Sequence, residues 1–153
     1  MTAPTQGVDD TVGRIETEVA LMLRLSDRNR RRSKLMDGAL ERSAYLALRL
    51  LESNGPCTIT RIADELRLDG STVTRQVVAM EEAGHVCRGR DPHDGRLQVI
   101  SATDEGLDAL ARTRVARGTV YREVLADWSD DDQATLAEML PRLNADLDSH
   151  LDS

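Results

Sequence analysis

One stretch, Thr58 to Gly106, restricts the fold more than any other part of the chain. A short apolar-periodic segment, a turn, a hydroxyl-rich helix and a basic hairpin follow one another there with almost no spacer. Thr58 is placed to cap a short helix in which Ile59, Ile62, Ala63 and Leu66 recur at helical spacing. Leu68-Asp69-Gly70 is the turn. The next helix spans 70–84 and contains Gly70-Ser71-Thr72-Val73-Thr74-Arg75-Gln76; Val73, Val77 and Met80 share one face, and Gly84 ends it. At about 100° per residue, Ser71 and Arg75 point away from that face, Thr72 and Thr74 flank them, and Gln76 turns toward the buried side. A hairpin over 86–101 follows. Its first strand is Val86-Cys87-Arg88-Gly89-Arg90, and its loop runs from Asp91 to Arg96 with Asp94-Gly95 at the tip. In its second strand Leu97, Val99 and Ser101 alternate with Gln98 and Ile100. Helix, turn, helix and basic hairpin in this order make a winged helix-turn-helix.

The flanks supply helices without an obvious home. Residues 1–9 are expected to be a disordered tail. From about Asp10, Val12, Ile15, Val19, Met22 and Leu23 fall at helical spacing, which predicts a first helix ending near Lys34. Arg28, Arg30, Arg31, Arg32 and Lys34 suit a helix C-terminus, where cations complement the macrodipole. They serve either as a solvated helix end or as phosphate contacts. A second helix is expected from Gly38 to Ser53, with Ala44, Ala47, Leu48 and Leu51 buried and Asn54-Gly55-Pro56 as its stop. Thr103 caps a long fifth helix with Asp104 and Glu105 in its first turn. That helix carries Leu107, Leu110, Val120, Val124 and Leu125.

Trp128 to Asp132 breaks the run, and Ser129 or Asp130 caps a sixth helix. There Leu136, Leu140, Leu143, Leu147 and Leu151 form a seam close to a coiled-coil repeat, which wants a partner helix. Pro141 predicts a kink near 137–141. The expected fold is mainly α with a small β-hairpin wing. It is a single domain over 10–153, with a winged-helix DNA-binding core over 38–103 between dimerisation helices at 10–36 and 104–153. The apolar stripes of the first and sixth helices exceed what one small core can cover, which by itself favours a homodimer.

The net charge of −7 argues against nucleic acid only until the chain is divided. Residues 1–54 hold nine Lys/Arg against eight Asp/Glu, residues 55–103 six against seven, and residues 104–153 five against twelve. The acid lies at the C-terminal end, and the helix-turn-helix segment is close to neutral, with Arg75, Arg88, Arg90 and Arg96 on its two presenting elements. No apolar run approaches the roughly 18 residues that suggest a membrane span. The first ten residues hold no secretory pattern, so a cytoplasmic protein is expected. Cys57 and Cys87 are too few for a disulfide framework. His85, Cys87 and His93 match no closed zinc set, so neither metal nor cofactor is expected. There is no nucleophile elbow, phosphate-cradling glycine loop or paired-carboxylate pattern, so an enzyme is not expected either.

The chain resembles the MarR family of bacterial transcription regulators. Ser-Thr-Val-Thr-Arg at 71–75 with Glu81-x-x-Gly84 is similar to that family's recognition helix. Asp94-Gly95-Arg96, followed by Ile100, Thr103 and Gly106, is similar to its wing signature, with Ala102 where Leu is commoner. The likeness runs in order and spacing over nearly the whole chain. It implies a homodimer on a pseudo-palindromic duplex operator, and a repressor released by a small-molecule effector.

On that frame the helix over 70–84 lies in the major groove and the wing over 86–101 in the minor groove. Arg75 can grip guanine O6 and N7, and the Ser71, Thr72 and Thr74 hydroxyls can meet bases or phosphates. Alternatively, Ser71 is only a cap and the two threonines are ordinary surface. Arg96 reaches into the minor groove with Asp94 holding its guanidinium, or the pair only braces the hairpin. Arg88 and Arg90 are phosphate candidates or solvated strand residues. An effector pocket is implied beside helices one, two and five, where Tyr45, Tyr121 and Trp128 are the available rings. The competing class is a winged-helix protein–protein adaptor, which has no need of cations on both groove-reading elements.

Overall fold

The computed structural model describes residues 6–32 and 38–152. Among the described residues six helices and one antiparallel hairpin follow in the order α1 (Gln6–Arg32), α2 (Arg42–Asn54), α3 (Ile59–Leu66), α4 (Gly70–Glu82), β1 (Val86–Arg90), β2 (Gln98–Ala102), α5 (Asp104–Val124) and α6 (Asp130–His150). α1 begins four residues before the expected Asp10 and ends at Arg32. The side chains of Arg30, Arg31 and Arg32, and all of Lys34, lie outside the described residues.

Local chemistry accounts for most boundaries. Thr58, Ser129 and Thr103 each accept a hydrogen bond from a backbone N–H of the first turn that follows, as N-caps do. α4 is capped by Asp69, whose carboxylate takes both the Thr72 N–H and the Ser71 hydroxyl at 2.7 Å. Ser71 therefore braces the cap rather than being it. α4 ends in a Schellman-like turn: Gly84 sits at φ 77°, and His85 N–H reaches back to the Met80 carbonyl at 2.9 Å. α2 starts at Arg42, four residues later than expected. Gly38 adopts φ 76°, outside the helical region, and Leu40 is pulled into the core.

The core belongs to the helix-turn-helix and the start of α5. Leu48, Leu51, Ile62, Val73, Val77, Met80, Ile100 and Leu110 form one buried cluster. The expected α2 and α4 faces are both found in it. At its floor the Thr113 hydroxyl donates to the Ala109 carbonyl at 2.9 Å and accepts the Leu40 N–H at 3.1 Å. The second wing strand departs from simple alternation, because Val99 and Ile100 are both buried. Cys57 exchanges two backbone hydrogen bonds with Ile100, at 3.0 and 2.7 Å, so β2 has a neighbour on each side. Leu97 stays exposed and precedes the strand.

α1 and α6 are different. α6 contains no buried residue, and its helix passes through Pro141. Val12, Ile15, Met22 and Leu23 of α1 are exposed, as are Leu140, Leu143 and Leu147 of α6 and Leu151 just beyond it. The two stripes predicted to seek a partner are uncovered within the single chain.

Candidate nucleic-acid interface

The buried face of α4 determines what its other face offers. With Val73, Val77 and Met80 locked inside, Ser71, Thr74 and Arg75 stand in solvent and Thr72 is half-buried. The Thr74 hydroxyl donates to the Gly70 carbonyl at 2.8 Å, and the Arg75 guanidinium lies 3.4 Å from the Thr72 hydroxyl. Four of the sequence-selected residues thus form one hydroxyl-and-guanidinium surface over the first turns of α4. Gln76 is half-buried, as its helical angle required. Asp69 underlies this surface. The Ser71 hydroxyl and then the Thr72 N–H and hydroxyl hold its carboxyl down to about 2.

The wing tip is ordered by two aspartates. Asp91 accepts the N–H groups of His93 and Asp94 at 2.7 and 3.0 Å, an Asx-type turn. Asp94 accepts the Arg96 N–H and Nε, both at 3.1 Å, and a terminal guanidinium nitrogen at 3.3 Å. These contacts lower the Asp94 carboxyl below its ordinary value, the Arg96 side chain contributing most. The Arg96 side chain is nevertheless 91% exposed. It is held at its root and free at its face.

Arg88 and Arg90 diverge. Arg90 is exposed near the strand end. Arg88 is half-buried, and its Nε donates to Glu81 of α4 at 2.8 Å while a terminal nitrogen donates to Gln98 at 3.2 Å. Arg88 ties the wing to α4. Glu81 was legible as part of the helix motif, but nothing in the sequence showed which arginine it would hold.

Arg117 stands over the Tyr45 ring and also lines the cleft that Tyr121 lines. Tyr45 is half-buried against the core, with the Arg117 guanidinium 4.2 Å above its ring. Tyr121 lines an open cleft of about 930 Å³ between α1 and α5, together with Leu21, Met22, Leu25, Arg28 and Val124. Trp128 lies at the α5–α6 junction, away from that lining. Cys57 is buried, which pushes its thiol pKa up, whereas Cys87 is exposed. No described helix is long and apolar enough to cross a membrane.

A helix-turn-helix whose second helix leaves hydroxyls and a guanidinium in solvent, beside a hairpin presenting a braced arginine, defines a winged-helix DNA-binding protein of the regulator class. The profile of the MarR family matches residues 40–97. The uncharacterized HTH-type transcriptional regulator YxaD of Bacillus subtilis is 36% identical over 112 residues, 73% of this chain and 78% of the relative. A MarR family protein from Bacillus stearothermophilus superposes with a TM-score of 0.71 at 20% identity, covering 95% of this chain and 99% of that one. The PcaV transcriptional regulator from Streptomyces coelicolor, solved in complex with its natural ligand, matches with a TM-score of 0.59 at 23% identity, covering 95% and 98%. The chain belongs to the MarR family of transcriptional regulators.

Proposed function

We propose that the protein is a cytoplasmic homodimeric repressor that binds a pseudo-palindromic operator and is released by a small-molecule effector. α4 enters the major groove, with Arg75 reading a base edge and Ser71, Thr72 and Thr74 contacting bases or phosphates. The wing lies along the flanking minor groove, where Arg96 meets the focused negative potential and Arg90 supplies a phosphate contact. The observation that carries this reading is the Asp94–Arg96 pair. Asp94 orients the guanidinium through its root, and 91% of the Arg96 side chain remains open to a ligand of opposite charge.

The dimer is supported by the uncovered stripes of α1 and α6. Effector release is supported by the relative crystallised with its natural ligand and by the cleft between α1 and α5, which Arg28, Arg42, Arg117 and Tyr121 line. Footprinting tests the docking. The reading expects methylation interference at guanine N7 in two major-groove segments roughly 34–36 Å apart, each flanked by minor-groove protection. An adaptor would leave DNA unprotected while still engaging a protein partner.

A further inference from the structure

Arg67 lies in the turn between α3 and α4, directly before the DNA-facing helix. It caps α3 at φ 55° and is the one non-glycine residue with positive φ among the described residues. The cap is closed by backbone: Arg67 N–H donates to the Asp64 carbonyl at 3.3 Å and Leu68 N–H to the Ala63 carbonyl at 2.9 Å. The Arg67 side chain reaches the far end of the chain. Arg67 Nε donates to Asp148 Oδ1 at 2.8 Å, one terminal nitrogen donates to Asp152 Oδ1 at 2.7 Å, and the other reaches Asp152 Oδ2 at 2.9 Å and Asp148 Oδ2 at 3.4 Å. One guanidinium thus grips two carboxylates four residues apart at the end of α6, a geometry that a lysine cannot reproduce.

α6 has no buried residue that could orient it. Its other end is held where the Gln133 amide donates to the carbonyls of Leu125 and Trp128, at 3.3 and 3.2 Å. Contacts at the α5–α6 junction and at Arg67 thus hold the two ends of the leucine seam. In the proposed dimer the seam meets the second copy, so its line sets where the second helix-turn-helix stands. We infer that Arg67, with Asp148 and Asp152, is a positioning device that fixes the separation of the two recognition helices and hence the half-site spacing the dimer accepts. This rests on the dimeric, DNA-binding reading above. One inserted base pair moves a half-site by about 3.4 Å and turns it by roughly a tenth of a turn, which a pinned dimer resists and an unpinned one tolerates.

The test uses the full chain with spin labels at Glu82→Cys in a Cys87→Ser background, so that distances between the two α4 helices are read without DNA. Arg67→Gly is the primary variant, since glycine adopts the left-handed cap without strain and folding is preserved. Asp148→Asn/Asp152→Asn removes the same grip from the other side. Both should broaden or displace a distance distribution that is narrow in the parent, and an unchanged distribution overturns the inference. A parent with no inter-helix distance overturns both the inference and the dimer. On duplexes carrying selected half-sites, Arg67→Gly should shrink the penalty for one inserted base pair by about threefold or more, with base preference kept. A uniform loss with a shallower salt slope would make Arg67 a phosphate contact and overturn the pin. A parent that selects no duplex, with distances that still respond to the variants, would sink the DNA reading and leave the pin standing.

Discussion

Gly106 packs its Cα against the backbone of His85 so closely that a β-carbon there would collide with the His85 carbonyl. The contact joins the start of α5 to the link between α4 and the wing. Thr103 completes the joint. Its hydroxyl donates to the Gly84 carbonyl at 2.6 Å and accepts the Gly106 N–H at 3.0 Å, and its own N–H donates to His85 at 3.0 Å. The Thr-x-x-Gly part of the wing signature is thus a fitting that sets α5 against the reading head.

Gly106→Ala tests that joint. Helix propensity alone favours alanine by about 1 kcal/mol. Here the methyl group meets backbone carbonyl, which cannot rotate aside, so we expect net destabilisation of roughly 1–3 kcal/mol by denaturant unfolding. Thr103→Ala should cost about 1 kcal/mol through the lost cap. Stabilisation by Gly106→Ala would show that the contact is loose.

Thr113→Val is nearly isosteric, yet it removes the acceptor of the buried Leu40 N–H. An orphaned buried donor costs about 1–3 kcal/mol, so the midpoint of chemical denaturation should fall with its slope unchanged. An unchanged midpoint would mean that water reaches Leu40.

The Asp69 carboxyl, held down to about 2, gives a pH prediction. A depressed folded-state value means that the cap's contribution is fully present above the ordinary carboxylate range and is lost as pH falls from about 3.8 through about 2. Carbon-detected titration of Asp69 should show a midpoint near the lower figure. Asp69→Asn should remove that part of the acid sensitivity. A midpoint at the ordinary value would mean that the Ser71 and Thr72 hydrogen bonds do not persist in solution.

How much of this was readable from sequence follows the range of the interactions. Thr58, Thr103 and Ser129 act on residues three away, so their capping roles were legible, and so was the Asp94–Arg96 pair, two residues apart. Asp69 was missed as a cap because Ser71 offered an equally suitable oxygen nearby. Both-face burial of β2 was missed because Cys57, far away in sequence, supplies its second neighbour. Arg88 with Glu81, and Arg67 with Asp148 and Asp152, are surface charges whose partners only the fold brings near. No local pattern sets the surroundings of Tyr45, Tyr121 and Trp128; only the fold puts Arg117 over Tyr45 and beside the cleft of Tyr121.

Arg75 and Arg96 should separate by kind of loss. Arg75→Ala should relax discrimination by roughly 1–3 kcal/mol at one base position per half-site. Arg96→Ala should weaken most sequences by a similar factor and lower the salt slope by about one. Electrophoretic titrations on a panel of point-substituted duplexes at two salt concentrations read both quantities. A uniform loss for Arg75→Ala would recast it as a phosphate contact, and a change confined to one base position for Arg96→Ala would contradict the wing assignment.

Sequence-selective DNA binding through α4 and the wing is open to direct test. Selection of genomic fragments by the purified protein at about 150 mM salt, where non-specific binding is weak, is the deciding measurement. We expect enrichment of a pseudo-palindrome with half-sites about one helical turn apart, abolished in Arg75→Ala/Arg96→Ala. Folded dimer that enriches no sequence, or a double variant that enriches the same one, would contradict it.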